Sequence, residues 1–117
     1  MSGIRVIREG VKDGARSFVG RLFEVENAVL AFFDEEGSLK LGTLTIAMPQ
    51  FEGRTCLSSV ILGERNVLVT KLLAEQLARA FQKIALVSTH LAEIEARQTS
   101  ASLLQLAASL SEKARAK

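Results

Sequence analysis

The sequence predicts an α+β domain: an antiparallel β-meander sheet of about six strands with two helices, in the order ββββ-β-α-β-α, dimeric in its assembled form. Three observations carry this. The first half of the chain is a series of short apolar runs separated by turn residues. Helical periodicity is confined to the second half. Two of the runs are apolar at both alternating sets of positions, which a strand with one wet face is not.

Residues 4–9 (IRVIRE) begin the sheet as a short strand, and Asp13-Gly14 is a hairpin-type turn signal. Residues 16–25 (RSFVGRLFEV) form the second strand. Glu26-Asn27 makes the next tight turn, because asparagine tolerates positive φ. Residues 28–34 (AVLAFFD) form the third strand, Glu35-Glu36-Gly37 turns it, and residues 39–48 (LKLGTLTIAM) form the fourth. Connections this short pair successive strands antiparallel, since a parallel return takes about a dozen residues or more.

Residues 49–54 (PQFEGR) hold the single proline and read as an exposed loop before a fifth strand at 55–62 (TCLSSVIL). Gly63 ends that strand and Asn66 takes the N-cap of a helix that runs to about Gln82. Val69, Leu72, Leu73, Leu77, Ala80, Phe81 and Ile84 recur at helical spacing as its apolar stripe, with Glu75 and Arg79 four apart on the wet face. Residues 83–91 (KIALVSTHL) lack a helical period and form a sixth strand; 92–97 fit either class. The last helix begins at Thr99 or Ser100 and ends at Ala114. Leu103, Leu106, Ala107, Leu110 and Ala114 make its stripe, and basic residues in its last turn suit the helix dipole. No repeat or linker divides the chain, so residues 1–117 make one domain.

The doubly apolar strands point to a partner. In the third strand Ala28, Leu30 and Phe32 alternate with Val29, Ala31 and Phe33; in the second, Phe18 and Leu22 alternate with Val19, Phe23 and Val25. Two helices can cover one face of a sheet, and little sequence remains for the other. The expected cover is another copy of the chain or another protein.

Composition excludes several classes. The net charge is only +2, from 15 basic and 13 acidic residues, so no nucleic-acid footprint stands out. Cys56 is the lone cysteine, which rules out an internal disulfide and fits a reducing cytosol. The opening residues lack an apolar signal region. The longest apolar run, 28–33, is far below the ~18 residues that cross a bilayer. A cytoplasmic location without membrane contact is expected.

The search for chemistry finds little. Residues 60–66 (VILGERN) bring together a strand, a glycine and a helix start, the parts of a phosphate-binding loop. A Walker loop needs a second glycine and a lysine, and a dinucleotide loop needs three spaced glycines. Gly63 stands alone, so the stretch reads as a corner. His90 and Cys56 by themselves lack the ligand number of a zinc site. Asp34, Glu35 and Glu36 sit in a turn with no second acidic cluster to act with. The strand at 16–25 mixes basic and aromatic residues as RNA-recognition strands do, but that module needs a helix between its first two strands. Neither catalysis, metal nor cofactor is expected. What remains is surface: Met48, Phe51, Glu52 and Arg54, at or in the proline loop, are the candidate partner-binding residues, an aromatic with an arginine being a common interface anchor. Phe51 either presents that anchor or folds back onto the sheet edge.

The order of segments is similar to that of the third type of proteasome assembly chaperone. Residues 39–49 (LKLGTLTIAMP), a loop, 58–78 (SSVILGERNVLVTKLLAEQLA), 83–92 (KIALVSTHLA) and a terminal helix resemble that family. Gly42-Thr43-Leu44 and Ile61-Leu62-Gly63 lie at its Gly-Thr-Leu and apolar-Leu-Gly positions. The likeness spans about residues 16–112 and rests on order and spacing. It implies a small dimeric α+β chaperone, without catalysis or cofactor, that binds proteasome α-subunits and assists α-ring formation. The hydrophobic–Tyr–X ending of other assembly chaperones is not matched by Ala116-Lys117, so docking is expected from the body or the 49–54 loop. The absence of Tyr and Trp points to a divergent or archaeal member of that family. A dimeric interaction module of roadblock or profilin-like kind is the alternative; its typical helix before or among the early strands has no counterpart here.

Overall fold

The computed structural model describes residues 4–14, 16–35, 39–49, 57–91 and 97–115. Eight elements follow the expected order: β1 (Arg5–Asp13), β2 (Arg16–Glu24), β3 (Ala28–Glu35), β4 (Thr43–Met48), β5 (Leu57–Leu62), α1 (Val67–Phe81), β6 (Ile84–His90) and α2 (Arg97–Arg115). The α+β class, the strands and both helices stand as read. The first strand is longer than expected, reaching Asp13, and the fourth begins only at Thr43.

The sheet is six-stranded and mixed, in the order β1-β2-β3-β6-β4-β5. A meander holds for β1-β2-β3, and β4 and β5 form an antiparallel pair. Between β3 and β4, however, lies β6, parallel to β3 and antiparallel to β4. Residues 36–42 are enough chain to step over one strand position. The strand that takes the gap carries Ile84 and Leu86 on one set and Ala85 and Val87 on the other. Such a strand removes the most apolar surface from water in the middle of a sheet. Since β5 and β6 both oppose β4, they run parallel to each other, and α1 is their crossover. At about 1.5 Å per residue its 15 residues span the length of a six-residue strand.

Both helices lie on one face. Val69, Leu73 and Leu77 of α1 and Leu103, Leu106 and Leu110 of α2 join Phe18, Leu22, Val29, Ala31, Phe33, Ala85 and Val87 in a single buried cluster. Leu72 departs from the expected stripe. It is 41% exposed, because the stripe that meets the sheet is Val69-Leu73-Leu77. Two smaller differences concern turns. Asn27 is not among the described residues with positive φ, so that turn does not use the conformation expected of it. Pro49 is buried rather than exposed, while 50–54 lie outside the described residues.

Ion pairs tie strand ends together. Arg16 grips Glu35 through two bonds, Nε to Oε2 at 2.9 Å and an η-nitrogen to Oε1 at 2.8 Å. Lys83 donates to Glu24 at 2.7 Å and to the Val25 carbonyl at 3.0 Å, fixing the start of β6 against the end of β2.

Candidate interaction surface

The alternation along each strand decides which side chains the helices leave uncovered. Positions 29, 31 and 33 of β3 meet the helices, so Ala28, Leu30, Phe32 and Asp34 turn the other way. Register carries the pattern across the sheet: Phe23 lies opposite Leu30, Leu86 beside Leu30, and Ile46 opposite Leu86. No described element packs over this second face. Its centre is therefore an apolar band of half-buried side chains, and Phe23 and Phe32 pack edge-to-face within it, centroids 6.0 Å apart at 87°. Towards the margins the apolar side chains are open to solvent: Val6 is 58% exposed, Met48 44% and Leu57 71%.

One ionic feature interrupts the band. Arg21 of β2 reaches the Asp34 carboxylate at 3.2 Å. Asp34 is fully buried although it lies on the open side, and its Oδ1 has no hydrogen-bond partner among the described residues. His90 sits next to Asp34 in the β3–β6 register and is only partly exposed. A buried carboxylate costs free energy unless paired, so Arg21 is what permits Asp34 at this place.

The corner at 60–66 is a joint. Gly63 has φ +95, a conformation that L side chains avoid, and a Cβ there would stand 2.6 Å from Thr43 Oγ1. Thr43 Oγ1 donates to the Arg65 carbonyl at 2.5 Å. Asn66 does occupy the N-cap of α1, but in the left-handed region and without a side-chain cap bond. Its carbonyl instead accepts from the Thr70 N–H at 3.1 Å and from Thr70 Oγ1 at 2.6 Å. Thr70 in turn shares a 2.6 Å hydroxyl bond with Thr89 of β6. Gly42 completes the joint: its N–H donates to Ser88 Oγ at 2.9 Å, and a Cβ on it would collide with the Thr89 carbonyl at 2.0 Å. These bonds knit β4, β6 and α1 at one end of the sheet. An open hollow beside them is lined by Gly42, Glu64, Arg65 and His90 among others.

Of the four expected partner-binding residues, Met48 ends β4 on the open face, opposite Leu57 in the β4–β5 register. Phe51, Glu52 and Arg54 lie outside the described residues, as does Cys56. Sequence reasoning did not single out Leu30, Phe23, Leu86 and Ile46 as surface, because nothing local tells which apolar set of a strand the helices will take. No group of three or more metal-ligating side chains occurs among the described residues. None of the described helices is long and apolar enough to cross a membrane.

A helix-backed sheet with an apolar open face places the chain among two-layer α+β domains. Comparison with known proteins agrees at the level of fold. The chain is similar to a chain in the crystal structure of a novel chaperone complex for yeast 20S proteasome assembly, with a TM-score of 0.63 and 10% identity. The match covers 95% of this chain and 91% of that one, so the whole domain shares a proteasome assembly chaperone-like fold. No family model matches the sequence, and no curated protein does.

Proposed function

We propose that this protein is a non-catalytic assembly chaperone of the third proteasome type, which binds α-type subunits of the proteasome core particle and assists α-ring formation in the cytoplasm. The observation that carries the reading is the end-to-end likeness of fold to a chain of the yeast chaperone complex. The open apolar face adds to it. An assembly factor works by presenting contact surface, and this domain has a large one on a rigid backing. The alternative roadblock or profilin-like module gains no support, since five strands precede the first helix.

The open face joins two copies of the chain. Six strands about 4.8 Å apart and about 20 Å long make a flat footprint of roughly 570 Å². Relief from the side chains brings its accessible area near the ~800 Å² per partner of a standard interface. The arrangement also follows interface anatomy: an apolar centre at Leu30, Phe32 and Leu86, with Arg8, Lys12 and His90 towards the margin. Met48, Phe51, Glu52 and Arg54 then contribute to the contact with the α-subunit.

The test is a reconstitution. Immobilised protein is offered purified proteasome α-subunits, and α-ring formation is followed with and without it. Retention of α-subunits and faster or more complete rings are expected. No retention, with rings forming identically in its absence, would end the chaperone reading.

A further inference from the structure

The two edges of the sheet are treated very differently. The β1 edge is guarded. Arg5, Arg8, Glu9 and Lys12 are spread along it, and Lys113 of α2 reaches over to pair with Glu9 at 3.0 Å and to donate to the Arg8 backbone carbonyl at 3.3 Å. Charges of this kind are how natural sheets blunt an edge against a further strand. The β5 edge has none. Leu57–Leu62 reads LSSVIL, without charge or proline, and among the described residues pairs on one side only, with β4. Leu57, Val60, Ile61 and Leu62 are 71%, 36%, 51% and 45% exposed.

A shelf runs beside this edge on the helix side. Ser58 Oγ donates to a Glu75 carboxylate oxygen, so the Glu75 stripe of α1 faces along β5. Leu68 and Leu72 stand seven and three residues before Glu75 on that stripe and are 70% and 41% exposed. The unpaired backbone row therefore has apolar side chains on both sides: Val60, Leu68 and Leu72 towards the helix, and Leu57 and Leu62 towards the open face.

We propose that the β5 edge is a docking site for an extended segment of a partner protein, added as a seventh strand. The backbone row dictates an extended occupant, because its N–H and C=O groups are satisfied in sequence only by another strand. The missing charge and the apolar flanks dictate its chemistry: an uncharged run of about six residues, apolar at both alternating sets. A second copy is not the occupant. Sheet-on-sheet packing covers faces and leaves edges open, so in the dimer of the preceding section β5 remains free for a different chain. That last step rests on the face reading; the edge chemistry does not.

The test uses the full chain and a capped peptide of six alternating isoleucine and valine residues between pairs of lysines. Saturating peptide is expected to slow backbone amide exchange within 57–62 at least about tenfold. The same peptide with two prolines in the run leaves exchange unchanged, because it cannot pair. Replacing Leu68→Lys together with Leu72→Lys raises the peptide Kd about tenfold or more, a loss of ~1.4 kcal/mol. Both residues are solvent-facing and away from the open face, so the folded dimer mass stays as in the wild type. Unaltered exchange in 57–62 at millimolar peptide overturns the proposal. So does a double variant whose mass falls, since the edge then holds a second copy. A monomeric wild type counts against the face reading alone and leaves the peptide measurement to decide the edge.

Discussion

Phe32 and Phe33 are neighbours in the same strand and meet different surroundings. Phe33 is fully buried under the helices, in the cluster with Leu22, Leu73 and Leu110, whereas Phe32 lies on the open face, partly exposed, edge-on to Phe23. The residue type and the local backbone are the same. The difference is what covers each face, and it separates two tasks. The helix side holds the subunit together, and the open side holds sheet surface that the subunit alone leaves wet. A core position is paid for at folding; an open-face position stays available for the proposed contact between copies.

The comparison can be broken from its strong side first. Phe33→Ala is expected to cost about 3–5 kcal/mol of subunit stability in urea unfolding, through lost burial and the cavity left under α2. Phe32→Ala, one residue away, is expected to cost under about 1.5 kcal/mol at concentrations where the subunit is dissociated, since its ring already meets water. Equal losses for the two would remove the distinction between the faces. Next in size is the ion pair. Arg21→Ala leaves Asp34 buried without its cation, an expected cost of about 3 kcal/mol. The pairwise exchange Arg21→Met with Asp34→Leu should recover most of that, because no buried charge remains; continued instability of the double variant would show that the pair does more than tolerate itself. Thermal unfolding of the three proteins side by side decides it.

Two further changes sharpen the contrast. Leu30→Asp places a charge at the centre of the open face; half the wild-type mass in light scattering, with an unchanged far-UV spectrum, is the expected result. A wild-type mass that persists would move the contact between copies away from this face. Lys113→Ala removes a half-exposed pair with Glu9, whose loss is expected to lie within about 1 kcal/mol. Its informative readout is aggregation, because it also uncovers the Arg8 carbonyl on the β1 edge.

Much of the fold was legible from local pattern. Turn residues at Asp13-Gly14 and the period of Val69-Leu73-Leu77 mark elements that the structure contains at nearly those bounds. The doubly apolar strands were legible too, and they announced an uncovered face. The candidate site was less so. Met48 does stand on that face, yet the band at its centre comes from four strands that are far apart in the chain: Phe23, Leu30, Ile46 and Leu86. Each looks like an ordinary core residue to any reading of a short window. Leu72 errs in the opposite direction, having the helical spacing of a core residue while standing on the shelf beside β5.

By itself the sequence determined what is settled over a few residues: which stretches are strand or helix, where Gly63 lets the chain turn, and that β2 and β3 can lie between two apolar layers. Backbone sterics and side-chain periodicity act at that range. The tertiary structure alone decided that β6 enters between β3 and β4, that both helices pack on the same side, and that β5 is left at an uncharged edge. Those outcomes depend on which surfaces meet across the whole chain. Burial is gained only when distant segments pair, and no local pattern records which of two equally apolar faces will be the one they cover.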